Sequence, residues 1–121
     1  MSSPKRRILC VDDDPDICEM LAYLLSHENY EAVTRGGVQQ ALEIARRESF
    51  NLYIIDEWFA RSSGTSLCHQ LREFDPHTPI IIYSGAALEV DRQEALQAGA
   101  NAFVAKPDID ALLENIRRLS A

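Results

Sequence analysis

The run Arg7-Ile8-Leu9-Cys10-Val11-Asp12-Asp13-Asp14-Pro15-Asp16 decides the fold. Four consecutive apolar residues bounded by charge suit a strand that is buried on both faces of a sheet. Asp14 then reads as a helix N-cap and Pro15 as the first helical residue. Beyond them Ile17, Leu21, Leu24 and Leu25 recur at i, i+4, i+7 and i+8, one face of an amphipathic helix.

The same alternation continues outward along the chain. A weaker strand near Glu31 to Thr34 ends at the Gly36-Gly37 turn, and Val38, Ala41, Leu42 and Ala45 line the next helix. Leu52-Tyr53-Ile54-Ile55 forms a third strand that runs straight into Asp56. A loop to Gly64 leads to a helix with Leu67, Leu71 and Phe74 on one face. Pro76 and Pro79 bracket a turn before Ile80-Ile81-Ile82-Tyr83, the most β-branched strand, which ends at Ser84. The helix from about Leu88 to Ala98 is the least amphipathic, and Gly99 closes it. Ala102 to Ala105 make a fifth strand before Lys106-Pro107, and Ile109, Leu112, Leu113 and Ile116 line a last helix. Five strand–helix alternations predict an α/β protein with a parallel sheet covered on both faces. An antiparallel arrangement would need two-residue Asn-Gly or Asp-Gly turns, and the sequence has neither.

Composition sets the boundaries. The 121 residues suit one domain, 1–121, and no linker or low-complexity tract divides them. With 46% apolar and 26% charged residues the chain is an ordinary globular one, long enough to need no disulfide or metal staple. Cys10, Cys18 and Cys68 lack CxxC spacing and read as small buried hydrophobes in a reducing cytosol. A net charge of −7 argues against direct binding to nucleic acid, whose phosphates call for Lys and Arg. Lys5-Arg6-Arg7 precedes only four apolar residues, too few for a signal-peptide core or a membrane span. The expectation is a soluble, cytoplasmic protein with no membrane contact.

Sites in open parallel sheets form outside the carboxyl ends of the strands. Those ends carry Asp12, Asp13 and Asp14, then Asp56, Ser84 and Lys106. Taken singly, each has an ordinary explanation: a solvated helix start, a loop cap, a turn hydroxyl, surface punctuation. Together they place carboxylates from two strands at one rim, where like charges repel unless a cation intervenes. A hard divalent ion with oxygen ligands fits, and Mg²⁺ takes one or two carboxylates, waters and a phosphate. A carboxylate beside such an ion, with an ammonium and a hydroxyl nearby, is equipped to attack phosphorus.

At this point the chain resembles, over essentially its whole length, the receiver domain of two-component response regulators. The matching pieces are Ile8-Leu9-Cys10-Val11-Asp12-Asp13, Asp56 with Gly64 eight residues on, Ser84-Gly85-Ala86, and Phe103-Val104-Ala105-Lys106-Pro107. The resemblance implies a doubly wound, flavodoxin-like (βα)5 three-layer sandwich with strand order 2-1-3-4-5. It implies that Asp56 is the phosphoacceptor, taking a phosphoryl group from a phosphohistidine of a sensor histidine kinase or histidine phosphotransfer protein. Asp12, Asp13, Asp56 and the main-chain carbonyl of Trp58 would hold Mg²⁺, with Mn²⁺ as a substitute. Ser84 and Lys106 would meet the phosphoryl group, Phe103 would be the switch aromatic, and the bond before Pro107 would be cis. A downstream protein would read the face built from the last two helices and last strand, and a homodimer through those helices is a further expectation. Phosphorylation would shift the population between two packings, the weak helix from Leu88 moving with the loop after Ser84.

Some residues depart from the family pattern. Ala60 stands where a proline is common. Trp58 either overhangs the site mouth and shields the acyl phosphate from water, with room left by Ala86, or packs on exposed apolar surface. Phe103 lacks the more familiar tyrosine hydroxyl, and a permanently buried core phenylalanine is its alternative role. His27, His69 and His77 read as surface or cap residues, and Arg117 and Arg118 as solvated helix residues that favour the helix dipole.

Two other functions compete. A haloacid-dehalogenase-like phosphohydrolase would use Asp12 and Asp14, but the chain is short for it and Pro107-Asp108-Ile109-Asp110 is a poor match for the acidic pair expected after the lysine. A degenerate receiver that binds without phosphorylation conflicts with the intact Asp12, Asp13, Asp56, Ser84 and Lys106. A calcium loop from Asp12-Asp14-Asp16 fails because Ile17 sits where glycine is required.

Overall fold

A computed structural model describes residues 5–57, 63–85 and 88–121. Trp58, Ala60 and Ala86, to which the sequence assigns a metal-binding carbonyl, a mobile loop and open space, lie outside the described residues. The elements alternate strictly: β1 (Arg6–Val11), α1 (Pro15–His27), β2 (Tyr30–Arg35), α2 (Val38–Arg47), β3 (Leu52–Ile55), α3 (Gly64–Phe74), β4 (Ile80–Ser84), α4 (Glu89–Gln97), β5 (Ala102–Ala105) and α5 (Ile109–Leu119). All strand pairs are parallel and the order is β2-β1-β3-β4-β5. This is the doubly wound α/β fold and the strand order expected.

The period of two in a strand sorts the apolar runs between the two faces. Ile8, Cys10, Leu52, Ile54, Ile81, Tyr83 and Val104 pack with Leu21 and Leu25 of α1 and Leu112 and Ile116 of α5. Their neighbours Leu9, Val11, Tyr53, Ile55, Ile80 and Ile82 pack on the other face with residues of α2 and α3 and with Ala95 of α4. Both faces are covered, so β1, β3 and β4 need unbroken apolar runs, and burial of each branched side chain contributes about 1.5–3 kcal/mol. β2, at the sheet edge, is only partly buried, which explains its mixed sequence.

Capping fixes where the helices start. Asp14 accepts from the Asp16 N–H at 2.9 Å with Pro15 in the first turn, and Asp108 accepts from the Ala111 N–H at 3.0 Å. α4 has no side-chain cap, and Ala95 is the one buried residue among its nine. Leu88, read as the approximate start of this helix, is its N-cap and 68% exposed. Gly99 ends α4 at φ 112°, a left-handed value that glycine adopts without strain. Phe74, read as an inward residue of α3, is half-exposed and lies under the Arg46 guanidinium at 5.0 Å.

Candidate functional site

The candidate residues Asp12, Asp56, Ser84 and Lys106 sit where strands end. The Asp12 N–H donates to the Arg35 carbonyl at 3.1 Å and the Asp56 N–H to the Val11 carbonyl at 2.9 Å, so the sheet ladder extends into both acidic positions. The Lys106 N–H donates to the Ser84 carbonyl at 2.8 Å, placing the ends of β4 and β5 side by side. The Lys106-Pro107 peptide bond is cis. Four separate segments thereby meet at one rim.

There the Lys106 ammonium donates to Asp12 Oδ2 at 3.0 Å and to Asp56 Oδ1 at 3.1 Å. The remaining Asp12 oxygen, Oδ1, accepts from the Asp14 N–H at 2.9 Å. Asp12 and Asp56 are buried and Asp13 is exposed, yet carboxylate oxygens of all three lie within 4.8 Å of one another. Ser84 is completely buried at the adjoining strand end. The ring of Tyr83 lies 5.7 Å from the Lys106 ammonium and gives it an aromatic face as well. Beside the rim a groove of about 390 Å³ opens on Asp12 and Asp13 between Cys18 and Arg35.

Three carboxylates face one ammonium, so negative charge is in excess. Burial, and after it the charge of Asp12, pushes the Asp56 carboxyl above the ordinary carboxylate value, and Lys106 offsets only part of this. Burial works to lower the Lys106 pKa, but the hydrogen bonds to Asp12 and Asp56 outweigh it and hold the ammonium protonated. A hard divalent cation is the complement of this donor set: three carboxylate groups within reach of one ion, surplus negative charge, and one exposed member open to solvent. Asp12, Asp13 and Asp56 are the residues that could hold it.

Other acids are engaged elsewhere. Asp14 caps α1 and Asp108 caps α5, so these two acids of the hydrolase reading are engaged at helix starts. Phe103 is partly buried against the cluster that includes Ala95 and Ala98. Cys10 and Cys68 are buried as expected, burial pushing Cys68 up to about 11, whereas Cys18 is half-exposed and donates its S–H to the Asp12 carbonyl at 3.2 Å. Arg117 is ion-paired with Glu28, the C-cap of α1, rather than simply solvated. Two nearby residues escaped the sequence reading. Arg35 ends β2 at the groove, and Glu57 follows Asp56 as a buried carboxylate. The only sequence signal for Glu57 is an acid directly behind a strand-end acid, a pattern shared with any exposed loop.

The chain belongs to the response regulator receiver domain family, whose model matches residues 8–117. It is thus a signalling domain of two-component systems. It is 34% identical to the regulatory protein VanR of Enterococcus faecium over 102 residues, covering 84% of this chain and 43% of VanR. The chain spans about half the length of the curated relatives it matches. A CheY-like receiver domain protein of Methanospirillum hungatei superposes with a TM-score of 0.90 at 30% identity, covering 97% of this chain and 94% of that one. The response regulator TrrA of Thermotoga maritima, in complex with Mg(2+)-BeF, superposes with a TM-score of 0.86 at 29% identity, covering 94% and 98%. Among the described residues no helix is long and apolar enough to cross a membrane.

Proposed function

We propose that residues 1–121 form a phosphoacceptor receiver domain in which Asp56 takes a phosphoryl group from a phosphohistidine of a sensor histidine kinase or histidine phosphotransfer protein. The observation that carries this reading is the bridging ammonium of Lys106, 3.0 Å from Asp12 and 3.1 Å from Asp56, beside a third carboxylate on Asp13. An Asp56 oxygen forms a bond to phosphorus as the bond from phosphorus to the donor imidazole breaks. Asp12, Asp13 and Asp56 would hold Mg²⁺, or Mn²⁺ in its place, and the ion would neutralise carboxylate and phosphoryl charge. The Mg(2+)-BeF complex of TrrA supports this assignment by similarity. Lys106 gives up one carboxylate contact to meet a phosphoryl oxygen, and Ser84 donates its hydroxyl to another.

The acyl phosphate adds charge at a rim that is already crowded with it, so the local packing shifts. Phe103 lies against the same cluster as Ala95 of α4, which gives a change at β5 a route to that helix. With one buried residue and no side-chain cap, α4 has few anchors and moves at low cost. The face of α4, β5 and α5 then meets a downstream protein or a second copy of the chain, in the cytoplasm. Phe103 serves as the switch aromatic.

The test is incubation with Mg²⁺ and acetyl phosphate, following phosphoryl incorporation into the wild type and Asp56→Asn. Label is expected on the wild type and absent from the variant. An unlabelled wild type removes this reading, and label that survives the substitution moves the acceptor elsewhere.

A further inference from the structure

Glu57 follows the proposed acceptor directly, yet it is only 4% exposed. A buried carboxylate needs partners, and these come from the start of α3. The first N–H groups of a helix have no intrahelical acceptor. Here the Gly64 N–H donates to the Glu57 carbonyl at 2.7 Å and the Thr65 N–H to Glu57 Oε1 at 3.1 Å. The Ser66 N–H is capped by the Ser63 hydroxyl at 3.1 Å, and the Leu67 N–H makes the first intrahelical bond. Glu57 therefore takes two of the three orphan donors, one with its main chain and one with its side chain.

The Thr65 hydroxyl closes the contact, lying 2.8 Å from Oε1 and 3.1 Å from Oε2. Gly64 brings the two segments still closer. A Cβ there would lie 2.2 Å from the Asp56 carbonyl oxygen and 3.1 Å from Glu57 Cα, a collision with main chain that no rotamer relieves. The helix start thus lies against the backbone of Asp56 itself. The positive end of the α3 dipole favours a carboxylate at this place. Burial pushes the Glu57 carboxyl up, while the Thr65 bonds pull against it.

We propose that Glu57 is a positioning residue: its carboxylate, clasped by the Thr65 N–H and hydroxyl, fixes the Asp56 main chain on the N-terminus of α3 and so orients the acceptor carboxylate. The inference rests on the phosphoacceptor reading of Asp56. Thr65→Val keeps the shape and the N–H but removes the hydroxyl, Thr65→Ser restores the hydroxyl, and Glu57→Gln removes the charge.

The experiment measures the rate of phosphoryl incorporation from acetyl phosphate over a range of donor and Mg²⁺ concentrations. Thr65→Val is expected to lower the maximal rate about tenfold, with both half-saturating concentrations within about twofold of wild type, because misplacement acts on the reacting geometry. Thr65→Ser should return the rate to within about twofold of wild type. A Thr65→Val rate equal to wild type, or a Thr65→Ser rate as low as that of Thr65→Val, overturns the clasp and leaves the acceptor assignment standing. Should Thr65→Val not fold, Glu57→Gln takes its place: a slowed rate supports the clasp and a wild-type rate overturns it. No incorporation into the wild type removes the acceptor assignment, and the clasp with it.

Discussion

At the N-terminal ends of the strands Arg7 meets Glu31 at 2.5 Å and Glu48 at 2.7 Å, and its guanidinium lies 4.8 Å from the Phe50 ring. Nearby, the Arg72 guanidinium donates to the carbonyls of Asp75, Thr78 and Gly99 and to the Asn101 side chain, and the Tyr53 hydroxyl donates to Asp75 at 2.6 Å. At the C-terminal ends the Lys106 ammonium bridges Asp12 and Asp56, with the Asp13 carboxylate close by. The first pole balances its polar groups and ties segments together. The second keeps charge that the described side chains do not balance, and burial magnifies the imbalance. The same sheet thus divides its ends between stability and chemistry, since a charge surplus with no structural benefit is what a bound cation and a phosphoryl group would use.

The largest effect should come from removing the ammonium that bridges Asp12 and Asp56. Lys106→Met leaves Asp12 and Asp56 facing each other, and an uncompensated buried pair of this kind costs about 3 kcal/mol in urea unfolding without Mg²⁺. A smaller effect is expected at the opposite pole. Tyr53→Phe removes a hydrogen bond to a charged acceptor and should cost about 1.5 kcal/mol.

The pH dependence of the two poles should also differ in sign. Burial works to raise the Asp75 carboxyl, but the bonds from Tyr53, Thr78 and His77 outweigh it and hold its pKa below the ordinary value. Asp75 therefore contributes stability that is complete above its unfolded pKa and is lost as pH falls through the lower folded one. Asp56 is raised, so its contribution is complete below the unfolded pKa and is lost as pH rises through the folded one. Unfolding measured from acid to neutral pH should show Tyr53→Phe flattening the first limb and Asp56→Asn the second.

Much of this was legible from residues alone. β1, β3 and β4 declare themselves because both their faces are buried, which demands unbroken apolar runs. Strand order was not local information. Ile8 pairs with both Ala32 and Leu52, and nothing in the run around Ile8 names those partners, so the order came through resemblance. Edge strand β2 extends to Tyr30 and Arg35, beyond the expected Glu31 to Thr34, because partial burial leaves its ends without an apolar signature. The rim residues could be collected because strand ends converge in this topology. Glu57 could not, since its burial depends on the later arrival of Thr65, which no spacing rule connects to it.

The most direct test of the charge surplus is thermal unfolding of the wild type and Asp56→Asn at neutral pH, each with and without Mg²⁺. Without the ion, Asp56→Asn should melt higher by about 4 °C, the equivalent of roughly 1 kcal/mol of relieved repulsion in a domain of this size. Mg²⁺ should raise the wild type and close most of that gap, with little effect on the variant. A variant that melts no higher than the wild type, together with a wild type indifferent to Mg²⁺, would contradict the assignment of this rim as a cation and phosphoryl site.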